Sequence, residues 1–120
     1  MPPENRDMSS LWDMLTTAKD IRDFASGVRY DQYLKDRKLQ LAVERSIEII
    51  GEAARRVSQP IREAHPEIPW QSIIALRNVL AHEYAEVKQE AIWLVITENI
   101  PDLIQTLEAL LTRFPPEKEP

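Results

Sequence analysis

The chain contains no cysteine. That excludes disulfides, thiolate metal sites and a cysteine nucleophile, and it fits life in a reducing compartment, the cytoplasm. Glycine is scarce, with only Gly27 and Gly51. Histidine is scarce too, limited to His65 and His82. With no carboxylate spacing that converges on either, too few ligands remain for a metal site. Positive charge is not in excess. Lys and Arg number 15 against 20 Asp and Glu, a formal charge of −5. This argues against a general basic coat for nucleic acid but leaves room for a local basic cleft. No stretch approaches the roughly 18 apolar residues of a membrane span. Met1 to Ser10 carries no apolar run of the kind a secretory signal needs.

What is present suits one folded domain over residues 1–120. A length of 120 residues with 43 % hydrophobic content is enough for a core and too short for a second domain. The tails, about 1–6 and 115–120, are expected to lie outside it, disordered. Leu11, Met14, Leu15, Ala18, Ile21 and Ala25 recur at the spacing of one helical face, which predicts a helix from about Asp7 to Ser26 stopped by Gly27. Asp31 is placed to cap a long second helix running to about Ser58. Its seam is Leu39, Val43, Ile47, Ile50, Ala54 and Val57, widened by Ala42, Ile49 and Ala53. Gly51 falls mid-helix, where it costs about 1 kcal/mol relative to Ala, so close approach of another helix is expected there. Arg45, Glu48 and Glu52 form a polar strip beside the seam.

Pro60 can open a short helical turn through Ala64. His65-Pro66-Glu67-Ile68-Pro69 then reads as a connector, with His65 on the surface. The next helix carries Ile73, Ile74, Leu76, Val79 and Leu80 and ends near His82 or Tyr84. A last helix starts around Val87, with a kink or break near Asn99 imposed by Pro101. No strand-like alternation appears. The expected fold is all-α, an up-and-down helical bundle of about five helices. Trp12, Trp70 and Trp93 are expected as core or dimer anchors.

Chemistry concentrates in Arg77-Asn78-Val79-Leu80-Ala81-His82-Glu83-Tyr84. Arg binds phosphate by charge and a two-pronged hydrogen bond. His moves protons near neutral pH. Continued as a helix, Arg77 and His82 would stand about 140° apart, on flanking faces. One copy then makes half a pocket, and two facing copies make a better one. Spacing alone equally allows plain structural roles. Arg77 can cover apolar surface with its stem, and His82 can complement a helix C-terminus. Asn78 can bond a phosphate or face water. Tyr84 can pack its ring.

Arg77 to Tyr84 resembles the R-x-x-x-x-H-x-Y signature of the HepT-like branch of the HEPN domains. Ile50-Gly51-Glu52-Ala53-Ala54 resembles that family's second-helix segment. Pro66-Glu67-Ile68-Pro69-Trp70 is similar to its lead-in to the motif helix. Trp93 and Asn99-Ile100-Pro101-Asp102-Leu103 are similar to its closing helix. The resemblance spans roughly residues 8 to 112. It implies a homodimeric, metal-independent ribonuclease acting as a toxin, with no cofactor and with both motifs lining one cleft. Arg77 would hold the scissile phosphate and His82 would serve as general base or acid, assisted by Asn78. The implied partner is a small MNT-type nucleotidyltransferase antitoxin that transfers AMP to Tyr84. Glu48 and Glu52 would orient Arg77. Two other readings stay open: a non-catalytic nucleotide- or substrate-binding partner of a nucleotidyltransferase, and a structural dimer whose motif maintains an interface.

Overall fold

Leu11, Met14, Leu15, Ala18 and Ile21 are all buried and make one continuous stripe along the first helix, α1 (Asn5–Ala25). The helix begins slightly earlier than the sequence pattern suggests. Asp7 explains part of that: its carboxylate accepts from the backbone N–H and the hydroxyl of Ser58, each at 2.7 Å. Gly27, at φ +74°, ends the helix by the left-handed turn that a side chain disfavours. The computed structural model describes residues 5–82 and 87–113, and every regular element among them is helical.

The long helix expected from Asp31 to Ser58 is two helices, α2 (Tyr30–Lys35) and α3 (Arg37–Arg56). Asp31 does not cap; it pairs with Arg29 at 3.2 Å. Asp36 makes the break, because its carboxylate accepts from the Leu39 N–H at 3.0 Å and so starts α3 anew. Carbonyls freed by the break are taken up by buried Gln40, whose amide donates to the carbonyl oxygens of Tyr33 (3.0 Å) and Leu34 (3.2 Å). Asp36→Ala should therefore cost about 1 kcal/mol, the usual worth of an N-cap. A fall of a few degrees in thermal midpoint would register it, and an unchanged midpoint would show that Gln40 alone holds the junction.

Pro60 sits in the first turn of α4 (Gln59–Ala64), and Pro69 stands at the N-cap of α5 (Trp70–Ala81). Between them His65 is half-buried rather than on the surface. Its Nδ1 lies 3.2 Å from Glu67, and its carbonyl accepts from the Trp70 indole at 3.0 Å. Trp70 is buried, while Trp12 and Trp93 pack on the core's margin.

The final rod comprises α6 (Gln89–Leu94), a π-helical turn (Val95–Asn99) and α7 (Ile100–Thr112). Pro101 accounts for the wide turn. It has no N–H to donate, and its ring would press on the carbonyl of Thr97. The chain shifts register there, with the Ile100 N–H reaching back to the Val95 carbonyl. The expected kink is thus a local widening, not a break. Leu103, Ile104, Leu107, Leu110 and Leu111 then bury one face.

Four rods (α1, α3, α5 and the α6–α7 rod) make the bundle, and the short α2 and α4 connect them. Helix α1 packs between α3 and α7, and α5 packs on the other flank of α3. Where α6 begins, a polar chain fastens it. Buried Tyr33 donates to Gln89 Oε1 at 2.5 Å, and Gln89 Nε2 donates to Glu44 at 2.9 Å. Burial first, and the Glu44 charge second, push the Tyr33 phenol well above its usual range, so it stays a neutral donor.

Candidate active site on α3 and α5

Gly51 sets the geometry. A Cβ built there would lie on top of the Arg77 Cβ, 2.7 Å from Arg77 Cγ and 3.2 Å from the Ile73 carbonyl oxygen. The missing side chain lets α5 settle onto α3 with the stem of Arg77 across the glycine. This is the close approach that a mid-helix glycine suggests. It leaves the Arg77 side chain only 28 % exposed while its head reaches outward.

The next residue aims that head. Arg77 Nη2 stands 3.1 Å from Glu52 Oε2, and Nη1 donates to Asn78 Oδ1 at 3.2 Å. The Glu52 oxygen is buried but makes no aligned hydrogen bond, so the pair is held by charge more than by direction. Glu52 also faces Arg55 at 3.6 Å and Arg56 at 3.9 Å. Glu48 does not join it; Glu48 pairs with Arg45 at 3.7 Å.

These groups surround a concave space of about 370 Å³. Arg45, Arg56 and Arg77 line it together with Glu48, Glu52 and Asp13, over a floor of Ile49 and Ala53. Arg56 was readable from sequence, since it stands four residues after Glu52 on a helix. Asp13 was not, because only the packing of α1 on α3 brings it there.

His82 is exposed at the C-cap of α5, with φ −78° and ψ 116°, and its N–H donates to the Val79 carbonyl at 3.2 Å. The backbone has left the helix by this residue, so the 140° separation from Arg77 does not apply. Arg77, Asn78 and Glu52 are brought together, and His82 stands just past the end of the same helix. Tyr84 lies outside the described residues. A second cavity, of about 230 Å³, opens between α3, α5 and the last rod. Ile47, Ile50, Ile73, Leu76 and Ile100 line it, with no arginine or histidine to hold an anion. Among the described residues, no cluster of His, Cys, Asp and Glu is placed to hold a metal ion. No helix among them is long and apolar enough to cross a membrane.

Residues 14–110, which include Arg77 and His82, match the family described as ribonuclease HepT-like. The chain belongs to the HepT-like family. A relative in Methanocaldococcus jannaschii named "Putative RNase MJ0127" is 36 % identical over 109 residues, covering 91 % of this chain and 90 % of its own. A "Probable ribonuclease HepT" of Thermococcus cleftensis is 35 % identical over 100 residues, covering 83 % of this chain and 91 % of its own. The Caldanaerobacter subterraneus protein named "Putative RNase TTE0752" is 37 % identical over 87 residues, or 72 % of this chain and 78 % of its own. No solved structure matches the chain. In this HepT-like chain Arg77 sits on a helix seated over Gly51, with His82 at that helix's end.

Proposed function

We propose that this HepT-like protein is a metal-independent endoribonuclease. It acts as a homodimer and as the toxin of a toxin–antitoxin pair. The observation that carries the reading is Arg77 itself, propped over Gly51, steered by Glu52 and opening on a charged concavity, with His82 exposed just past the end of the same helix. A guanidinium held ready to bind an anion suits the charge that gathers on a phosphate under attack. His82 takes the proton from an RNA 2′-hydroxyl, the 2′ oxygen bonds to phosphorus, and the bond to the 5′ oxygen breaks. The 5′ oxygen leaves with a proton from a second imidazole, and the products are a cyclic phosphate and a 5′-hydroxyl. Only RNA has the neighbouring hydroxyl.

A second copy supplies that second imidazole. Leu41 and Val79 are 50 % and 49 % exposed on the two helices that carry the site, and a facing protomer would cover them. The partner antitoxin is an MNT-type nucleotidyltransferase, which silences the enzyme by AMPylation of Tyr84, two residues past His82. An added AMP brings phosphate and bulk to compete with RNA for Arg77.

His82→Ala tests the reading. It should lower RNA cleavage by about 10²–10⁴-fold, the usual worth of a positioned proton donor or acceptor, and abolish growth inhibition, with melting temperature and dimer unchanged. Full cleavage by a well-folded His82→Ala protein would refute the role. Absence of cleavage by the unmodified wild type would move the assignment to a nucleotide-binding partner of the nucleotidyltransferase.

A further inference from the structure

Arg45 and Arg56 are eleven residues apart on α3, which is about three helical turns, so they face the same side, separated by about 16 Å. The Arg77 head comes in between them along the helix, because it meets Glu52 on that side of α3. All three line the same concavity. The outer two are lightly held. Arg45 is 72 % exposed and meets Glu48 at 3.7 Å; Arg56 is 55 % exposed and meets Glu52 at 3.9 Å. Exposed pairs this long contribute little, so either guanidinium can turn to another anion at small cost. Glu52 is shared among Arg55, Arg56 and Arg77 and cannot neutralise all three.

We propose that Arg45 and Arg56 are further phosphate-binding residues, one on each side of Arg77, that lay single-stranded RNA along α3. The proposal rests on the ribonuclease reading and names how its substrate lies. Its chemical basis is the row itself: three guanidiniums in line match a run of phosphodiesters, not one nucleotide. Ile49 and Ala53 lie between the outer arginines and give sugar and base an apolar floor. Asp13, contributed by α1, repels phosphate from the far wall and confines the backbone to the arginine side. Guanidiniums that touch only phosphate carry no base information. The row therefore predicts binding that is indifferent to sequence and strongly dependent on salt.

The test is a salt titration of binding to a short single-stranded RNA made fully 2′-O-methyl, which cannot be cleaved by 2′-hydroxyl attack. Each of Arg45→Ala and Arg56→Ala should reduce the slope of log affinity against log salt by about 0.7, the value for one phosphate contact on a single strand. Each should weaken binding equally for poly-U and poly-A sequences. Arg22→Ala, on the surface of α1, should leave slope and affinity unchanged. Wild-type slopes in both Arg45→Ala and Arg56→Ala, alongside a reduced slope in Arg77→Ala, would overturn the two flanking subsites and leave the ribonuclease reading standing. A wild-type protein that neither binds this probe nor cleaves natural RNA would overturn both.

Discussion

Gly51→Ala should destabilise the protein by about 1–3 kcal/mol, the usual range for overpacking, and should remove most of its ribonuclease activity. Two effects oppose each other here. Alanine is the better helix former by about 1 kcal/mol, which alone would make the change stabilising. The new methyl, however, would overlap the Arg77 Cβ. A Cβ is fixed by its own backbone and has no rotamer with which to retreat, so only movement of α5 away from α3 relieves the contact. That movement withdraws Arg77 from Glu52 and opens the apolar packing of Ile73 and Leu76. The steric cost should therefore exceed the propensity gain. Gly27→Ala makes the contrast. Nothing lies within 4 Å of a Cβ there, but φ is +74°, so about 1 kcal/mol of backbone strain is expected. Its cleavage should be unaffected. Denaturant midpoints and initial cleavage rates of the two variants decide the matter. If Gly51→Ala is as stable and as active as wild type, the two helices are not held by this approach.

The same glycine shows what a one-dimensional reading can and cannot reach. A glycine in the middle of a strongly patterned helix breaks a local preference, and such a break implies a neighbour that needs the space. Which neighbour was invisible, because α5 returns to α3 only through tertiary packing. The faces of α1, α3 and α7 were legible for a related reason: their apolar spacing is long and uninterrupted. The division of α2 from α3 was not, since Asp31 and Asp36 are both chemically fit to cap and the apolar pattern runs past both. Only the buried amide of Gln40, placed to satisfy the freed carbonyls, decides for Asp36. The end of α5 near His82 was legible, and the helix does stop at Ala81; the separation of about 140° from Arg77 fails only because it continued the helix through that end. For the candidate site, Arg77, Asn78 and His82 were singled out by the resemblance to the HepT-like motif, since spacing alone left structural roles open. Asp13 and the shared role of Glu52 arise from three helices meeting.

Arg77→Ala should reduce cleavage by about 10²–10³-fold, the scale for loss of a donor aimed at transition-state charge. Arg77→Lys should recover little of this, because an ammonium keeps the charge but loses the planar, two-pronged donor that fits a phosphate. The more discriminating variant is Glu52→Gln, where two effects compete again. Removing the carboxylate relieves competition for the guanidinium and adds positive potential to the concavity, so RNA should bind more tightly and KM should fall. It also leaves Arg55, Arg56 and Arg77 in mutual repulsion around a neutral amide, and Arg77 loses the charge that steers it. Misplacing a catalytic group by a fraction of an ångström is costly, so kcat should fall by about tenfold while binding improves. Glu52 is then a positioning residue, acting through Arg77 without touching substrate. A merely structural role would lower thermal stability and leave both kcat and KM of the folded protein unmoved. A rise in kcat for Glu52→Gln would instead make Glu52 a brake on Arg77, released when phosphate displaces it. Because the pair is a charge contact without an aligned hydrogen bond, steering requires only that Arg77 stay near Glu52 until the phosphate arrives. The split of kcat from KM is where that difference is read.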